Sequence, residues 1–310
     1  MQSRKALLTV LTLAVAVPSP PAMAADGGGA APPPPAVGGG TVAGQPVKEK
    51  AKAKKKAHHR HRARGPVLSS FSLTRPRLFL YGRPARVSFR ISASARVRLR
   101  LVPQAKGAPV QAIALGKLAR GFHSFLLTGR EAGVLPQGAY VLRIAGSDRH
   151  GHKLRRAPRA SSSAELNFFH HRFPLAGPFT YGGADARFGV GRPGHTHKGQ
   201  DLPAAEGTPI VAPRGGVIET VQYQAGGAGN YVVLDGEGET RDYVFMHLKT
   251  GSTVVRQGQR VRTGQLIGQV GATGDASGPH LHFEVWDGPW YAGGHPIDPL
   301  PLLRVWDSWS

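Results

Sequence analysis

The sequence predicts an all-β protein, and two patterns carry this prediction. Residues 86–102, RVSFRISASARVRLRLV, place Val87, Phe89 and Ile91 at every second position with Arg or Ser between them. A period of two is typical of a strand with one buried face. From about residue 173, short apolar runs alternate with glycine-rich turns, and no apolar stripe of helical period accompanies them. We therefore expect two β-folded parts within the 310 residues.

Residues 1–24 have the features of a signal peptide. Arg4 and Lys5 precede the uncharged run Ala6 to Val17, and Ala22-Met23-Ala24 gives the small-x-small pattern of a cleavage site. The run is shorter than the roughly 20 residues that a spanning helix needs. We expect a cleaved signal, a secreted protein and no stable membrane insertion afterwards; an uncleaved anchor is the alternative. The chain has no cysteine, so an exported form must rely on its cores rather than on disulfides.

Residues 25–66 are predicted to be a disordered linker. The first part is rich in Gly, Ala and Pro and has no aromatic residue up to Pro46, so it cannot bury enough surface to fold. The basic tract, Lys48 to Arg64, follows with nine Lys or Arg against Glu49 alone. It is either a solvated spacer or an electrostatic adhesive for polyanions. In an exported protein the expected partners are anionic wall polymers or membrane surfaces, not nucleic acid.

Positive charge is concentrated in the first half of the chain. The net charge is +22, yet residues 171–310 contain 11 Lys or Arg and 13 Asp or Glu. Residues 1–170 therefore hold 29 basic and 5 acidic side chains. The second half is close to neutral, which argues against binding through a basic patch as its function.

Residues 67–157 are predicted to form a small β-sandwich with one buried and one strongly basic face. Alternation over residues 86–102 recurs in GAYVLRIAGSDRHG, residues 138–151, and ends at a turn signal. This region, above all LPQGAYVLRIAGSDRHG, resembles the immunoglobulin-like modules that precede bacterial surface enzymes. The resemblance implies a spacer or docking module. Residues 158–175 are then expected to be a connector.

Histidines gather in three segments of the second half. In HLHFEV, alternation places His280, His282 and Glu284 on one face, opposite an apolar set that faces the core. In RDYVFMHL, His247 would share a face with Tyr243 and Phe245 and be delivered at a strand end. Glu284 either orients an imidazole or is an ordinary surface glutamate.

The segment GHTHKGQD supplies a fourth histidine and a carboxylate. Gly199 is expected to let the segment turn tightly enough for His197 and Asp201 to reach one point. His195 is a possible competitor, although the spacing to Asp201 favours His197. A catalytic zinc ion takes three His or carboxylate ligands and keeps a fourth position for water. Two histidines would remain for hydrogen bonding and proton transfer.

HKGQD, FMHL and GPHLHFEV, in this order and at these separations, resemble the signature of lysostaphin-type (LytM-type) zinc endopeptidases, which cut peptidoglycan peptides. The likeness covers about residues 176–300, including EGTPIVAPRGGVI and GAGNYVVLD. It implies a groove on an antiparallel β-sheet and Zn2+ as cofactor. The implied metal ligands are His197, Asp201 and His282, and the implied catalytic residues are His247 and His280. The implied substrates are peptide bonds of peptidoglycan cross-links or stem peptides, and the implied location is the cell wall.

Two departures from the family pattern accompany this resemblance. Met246 follows Phe245 where the family more often has alanine after tyrosine, and the tail over residues 301–310 has no counterpart. The main alternative is an inactive relative that binds wall or activates another hydrolase, but all five chemical positions are filled. An adhesin with a structural metal domain is disfavoured because structural zinc sites are closed by four protein ligands. A phosphocarrier would not need Asp201 beside three separate histidines.

Overall fold

The computed structural model describes residues 65–107, 109–132 and 136–310. The described residues are almost entirely β-structure, which confirms the predicted fold class. None of their helices is long and apolar enough to cross a membrane. The predicted signal peptide 1–24 and all but the last two residues of the predicted linker 25–66 lie outside the described residues.

Residues 67–169 form two sheets that share one core. One sheet has the strand order β6-β3-β1-β8 and the other β2-β9-β7-β4-β5. Their strands are β1 (Val67–Leu73), β2 (Arg77–Phe79), β3 (Ala85–Ile91), β4 (Ala95–Pro103), β5 (Gln111–Leu118), β6 (Gly121–Leu127), β7 (Gly138–Ser147), β8 (Arg155–Arg156) and β9 (Ser163–Phe169).

Alternation sorts the side chains of these strands as predicted. Phe89 of β3 and Leu99 of β4 are fully buried in the shared core. The residues between the buried positions of β4 are Arg96, Arg98 and Arg100, all exposed on the outer face of their sheet. We call these three side chains the outer arginine stripe. The immunoglobulin-like assignment of this sandwich stays a prediction.

The sandwich extends into the connector predicted over residues 158–175. Strand β9 pairs with β7 along all but its last residue, with Leu166 opposite Tyr140 and Phe168 opposite Gly138. Leu166 and Phe168 are buried and join the sandwich core, while Glu165 is exposed. This is the same period-two pattern as in β3 and β4, so the signal was present in SAELNFF.

A second sheet system follows from residue 191. Its large sheet has the order β12-β19-β16-β15-β14-β17, with β20 pairing to β19, and β13 pairs with β18 beside it. The strands are β10 (Gly191–Arg192), β11 (His195–Thr196), β12 (Gln200–Pro203), β13 (Pro209–Val211), β14 (Gly216–Gln224), β15 (Gly229–Gly236), β16 (Arg241–Leu248), β17 (Arg260–Val261), β18 (Leu266–Gln269), β19 (His280–Asp287) and β20 (His295–Ile297).

The two faces of the large sheet have different roles. One face packs into a large core through side chains such as Leu202, Phe245 and Phe283, which are fully buried. The opposite face carries His280 and His282 and, farther along, a smaller apolar cluster. Because side chains alternate along each strand, the apolar face fixes which residues reach the other one.

The predicted tail over residues 301–310 belongs largely to a helix, α1 (Leu300–Asp307). Leu303 and Trp306, three positions apart on one side of α1, are buried in the large core. Trp306 stacks on His171 with 4.8 Å between ring centroids, and Trp309 stacks on Phe169 at 5.2 Å. A helix this short has too few apolar positions to display a period, so the sequence pattern did not reveal it.

Hydrogen bonds and an ion pair join the sandwich to the large sheet. The hydroxyl of Thr263 donates to the carbonyl of Leu80 at 2.5 Å, and its backbone N–H donates to the carbonyl of Tyr81 at 3.1 Å. Arg130 pairs with Glu237 at 2.7 Å. The buried contacts of Thr263 are shielded from water, so they contribute more to this junction than the exposed ion pair does.

We expect Trp306→Ala to lower the free energy of unfolding by about 3–5 kcal/mol, because it removes a large, 2% exposed side chain from the core. Val305→Ala is the control, since Val305 is 44% exposed on the same helix. Denaturant unfolding can be followed by the remaining tryptophans, all of which lie after residue 285. Equal unfolding midpoints for the two variants would contradict the packing described for α1.

Candidate active site

Three side chains, two from the large sheet and one from a loop beside it, bring their ligand atoms to one point. His197 Nε2 lies 3.0 Å from Asp201 Oδ1 and 2.9 Å from His282 Nδ1, and the last two atoms are 2.8 Å apart. Among the described residues, His197, Asp201 and His282 form the group that can hold a metal ion. The resemblance implied the same three residues.

Strand pairing positions two of the three donors. Asp201 lies directly opposite His282 in the antiparallel pair of β12 and β19, and their neighbours Leu202 and Leu281 face each other across the core side. The chain bends at Gly199, as expected, and it does so without a left-handed φ. Gly199 also allows close approach: a Cβ there would lie 2.5 Å from Phe283 O and 2.8 Å from His282 Nε2.

His197 is held from a loop edge rather than from the large sheet. Its backbone N–H donates to Val190 O and its carbonyl accepts from Gly189 N–H, both at 2.9 Å. Its Nδ1 lies 2.7 Å from the carbonyl oxygen of Arg187. These hydrogen bonds fix both the backbone and the ring of His197, and they direct its Nε2 atom towards Asp201 and His282.

The donor set fits a divalent metal ion. The carbonyl of Arg187 only accepts, so His197 Nδ1 carries a proton and Nε2 presents a lone pair. Likewise, His282 Nε2 lies 3.1 Å from Glu284 Oε1, so the proton on Nε2 leaves a lone pair on Nδ1. Two lone pairs and a carboxylate oxygen therefore converge, an arrangement that a shared cation stabilises.

The pKa values of these groups reflect the same convergence. Burial raises the pKa of Asp201, but hydrogen bonds and charge from His197 and His282 outweigh burial and hold it far below its ordinary value. Burial lowers the pKa of His282, but the carboxylates of Asp201 and Glu284 outweigh that effect and raise it to about 9. The site thus attracts positive charge strongly enough to bind protons at neutral pH, and a metal ion must displace them.

Buried partners orient the ligands from behind. Glu284 is buried and not a surface residue; it accepts from Trp286 Nε1 at 2.6 Å as well as contacting His282. Arg192 donates to Asp201 Oδ2 at 2.8 Å, which leaves Oδ1 for the metal. Neither Arg192 nor the carbonyl of Arg187 could be predicted from the sequence, because a lone arginine and a backbone oxygen carry no motif.

His247 reaches the site through an irregularity in β16. Strict alternation would place it with Tyr243 and Phe245, as the sequence analysis expected, but those two side chains lie in the core. The expectation of a shared face is wrong. Opposite Tyr231 of β15, strand β16 has two residues, Met246 and His247, which is a β-bulge. His247 there has φ of 64°, a left-handed conformation that turns its ring to the other face.

The rings of His247 and His280 lie side by side at the site. Their centroids are 4.7 Å apart, and His280 Nε2 is 3.7 Å from Asp201 Oδ1. His247 Nδ1 lies 2.8 Å from Thr273 O and His280 Nδ1 lies 2.9 Å from Gly278 O. Since carbonyls only accept, both Nδ1 atoms carry protons, and each Nε2 is available for a substrate or water.

His247 is held in its neutral form at physiological pH. Burial, supported by the charges of His280 and His282, outweighs the hydrogen bond to Thr273 and lowers its pKa to about 4. A neutral imidazole with a free Nε2 can accept a proton. His195, the possible competitor for the metal, is exposed on β11 and lies outside the group of three.

Comparison with known proteins identifies this part of the chain. Residues 195–299 match the family described as Peptidase family M23. The chain carries a Peptidase family M23 domain. All five predicted site residues lie within the matched range of this M23 domain.

Several named proteins are similar to the M23 domain. An uncharacterised metalloprotease of Haemophilus influenzae is 42% identical over 106 residues, or 34% of this chain and 21% of that protein. The peptidoglycan DD-endopeptidase ShyC of Vibrio cholerae is 41% identical over 28% of this chain and 19% of its own length. The glycyl-glycine endopeptidase ALE-1 of Staphylococcus capitis is 34% identical over 37% of this chain and 31% of its own. The chain thus spans between 19% and 31% of the length of these curated relatives.

Among solved structures, the catalytic domain of lysostaphin from Staphylococcus simulans is 30% identical. The match covers 41% of this chain and 92% of that domain, with a TM-score of 0.36.

An unusual carboxyl group, Asp242, shares the face of the sheet that carries the site. It lies opposite Trp286, is 4% exposed, and accepts from the backbone N–H of Trp290 at 2.7 Å. Burial outweighs that hydrogen bond and, with the charges of Glu219 and Asp235, raises the pKa of Asp242 from 3.8 to about 6. Its ionisation is therefore harder in the folded than in the unfolded chain.

We expect Asp242→Asn to stabilise the protein at pH 8 by up to about 3 kcal/mol and to have little effect at pH 4. Below pH 4 the carboxyl group of Asp242 is protonated in both the folded and the unfolded chain, so it does not lower the free energy of unfolding. As pH rises towards the folded-state pKa of about 6, the unfolded chain ionises first, and the wild-type protein loses stability. Asparagine retains the acceptor for Trp290. Denaturant unfolding at both pH values measures the effect, with exposed Asp275→Asn as the charge-matched control. Equal gains at pH 4 and pH 8 would contradict the raised pKa.

Proposed function

We propose that this protein is a secreted zinc-dependent endopeptidase that hydrolyses peptide bonds in peptidoglycan cross-links or stem peptides. The observation that carries the proposal is the convergence of two imidazole lone pairs and a carboxylate oxygen beside two further imidazoles with free Nε2 atoms. Three protein ligands are the catalytic form of a zinc site, whereas structural sites have four. The substrate class is supported by the names of similar proteins, which include endopeptidases of peptidoglycan and of glycyl-glycine bonds.

His197, Asp201 and His282 would hold the metal. When bound, zinc supplies Lewis-acid polarisation of the scissile carbonyl and activation of a water molecule. His247, neutral and with a free Nε2, is suited to accept or share the proton of the attacking water. His280 keeps its Nδ1 proton on Gly278 O, so its Nε2 first has to take up a proton from the attacking water; the Nε2–H can then hydrogen-bond the developing oxyanion or pass that proton to the leaving amine. Arg192 and Glu284 keep the ligands oriented throughout.

The alternative is an inactive wall-binding or activating protein. An inactive domain would have no need to hold His247 in a left-handed conformation beside His280. Such strain is retained where a function requires it. We therefore favour the enzyme.

We expect two classes of variants at the site. His197→Ala, Asp201→Ala and His282→Ala should lose both zinc and activity, because each removes one of three ligands. His247→Ala and His280→Ala should keep zinc but lose about 10²–10⁴-fold in turnover, the usual contribution of acid–base groups. Zinc content by elemental analysis and release of fragments from purified sacculi of different cross-link types measure both properties.

His195→Ala is the matched control and should retain zinc and activity, since His195 is exposed and outside the ligand group. A chelator should inactivate the wild type, and added zinc should restore it. Loss of metal in His280→Ala with retention in His282→Ala would reverse the assigned roles. Cleavage at the wild-type rate by all five variants would disprove the proposed function.

We also propose that the basic tract, residues 48–64, attaches the protein to anionic wall polymers. Deleting residues 48–64 should weaken binding to purified walls at low salt, while cleavage of soluble peptidoglycan fragments stays unchanged. The difference should fade as salt rises, because exposed charges are screened over about 10 Å at 0.1 M. Sedimentation of the protein with walls at several salt concentrations measures it. Unchanged binding at low salt would make the tract a spacer only.

A further inference from the structure

Five arginines line one cavity of about 800 Å³ at the junction between the sandwich and the M23 domain. Three come from the sandwich side and two from the other side, and we call them the junction arginines: Arg75, Arg77, Arg83, Arg172 and Arg262. The backbone between them is fixed by the hydrogen bonds of Thr263, which also lines the cavity. The positive groups are thus supplied by segments distant in sequence that the fold brings together.

The positive charge of this cavity is not balanced by protein carboxylates. No Asp or Glu is among its lining residues. In the part of the chain that the structure describes, none of the junction arginines forms an ion pair. Burial and the charge of Arg77 lower the pKa of Arg172, which means that its charged form lacks a compensating partner. Mutual repulsion of this kind is relieved by binding an anion.

A neighbouring cavity of about 740 Å³ provides an internal comparison. It shares Arg262 and Gln265 with the first cavity and adds Arg130 and Arg260. There, however, Glu237 pairs with Arg130 at 2.7 Å and with Arg260 at 3.6 Å. The chain therefore places one carboxylate, Glu237, against two arginines of this cavity and none in the lining of the first cavity.

We propose that the junction arginines form a binding site for the phosphate groups of a linear polyanion. Guanidinium groups match phosphate oxyanions with paired N–H donors, and several can surround one phosphate. The five guanidinium groups lie along the lining of one cavity of about 800 Å³, which has room for more than one phosphate. Exposed Val254 and Leu266 at the first cavity offer apolar contact to the carbon atoms between successive phosphates. A concave site with arginines on both sides suits a chain better than a flat lipid surface.

This site is separate from the candidate active site and goes beyond the proposed function. None of its lining residues belongs to the ligand group or to the two catalytic histidines. Binding can be measured without hydrolysis, so the failure of one proposal leaves the other intact.

The test compares two triple variants of the full chain that lose the same charge. The junction variant is Arg75→Gln/Arg83→Gln/Arg262→Gln, and the matched control removes the outer arginine stripe as Arg96→Gln/Arg98→Gln/Arg100→Gln. All six side chains are exposed, so both variants should fold. Both variants retain the basic tract, so its contribution to the affinity is the same in each. Calorimetric titration with inorganic tripolyphosphate at fixed salt gives the affinity.

We expect the junction variant to lose about tenfold or more in affinity and to show a shallower dependence on salt, since fewer phosphate contacts release fewer counterions. The control should lose about threefold or less, as expected for distant screened charges. Equal losses in the two variants would overturn the proposal in favour of diffuse attraction. Equally tight binding of poly-glutamate with a matched charge would overturn the phosphate assignment. Loss of binding to phosphatidylglycerol vesicles with unchanged tripolyphosphate affinity would make the site a membrane contact instead.

Discussion

The register of β12 against β19 is the constraint on which the candidate site depends. Asp201 faces His282 only because Leu202 and Leu281, one position along, are both buried on the other side of the sheet. A slip of β12 by one residue would expose Leu202 and turn Asp201 towards the core, at a cost of about 1.5–3 kcal/mol for the leucine alone. The close approach of three metal donors is unfavourable in itself until they share a cation. The packing of the hydrophobic core holds them together.

The candidate site also depends on a strained backbone at His247, and the same core stabilises it. The left-handed backbone of His247 costs about 1–3 kcal/mol. On either side of the bulge, Phe245 and Leu248 are fully buried, and the imidazole is held by Thr273 O. These contacts outweigh the strain. The bulge moves one side chain to the opposite face of the sheet while the strand on both sides keeps its pairing, so a fourth imidazole reaches the site without disturbing the ligands.

The sequence could predict what repeats locally or what belongs to a motif. Alternation in HLHFEV assigned His282 and Glu284 to one face, and the structure has them there. Alternation could not predict the bulge at His247, because the strand ends one residue later and too few positions follow for a shift of the pattern to be visible. The helix over residues 300–307 could not be predicted for a related reason: its two buried positions are too few to show a helical period. Positioning groups such as Arg187 O act through the backbone, whose partners depend on tertiary structure alone.

The uneven charge of the chain has a physical consequence for a domain whose donor group can hold a metal ion. A cation site loses affinity in a positive field, and a polyanion is held by one, so the two activities conflict when they share a surface. In the two proposals for polyanion binding, the junction arginines of the sandwich side and the basic tract would carry the attraction, while residues 171–310 contain slightly more acidic than basic side chains. Charges farther than about 10 Å from the metal donors are largely screened at 0.1 M salt. Attachment to a polymer that lies in the same wall as the peptides would raise their effective concentration at the site by tethering, without any new contact in the groove. Separation of the charges would thus let one chain bind an anionic matrix strongly and still retain a site that attracts cations.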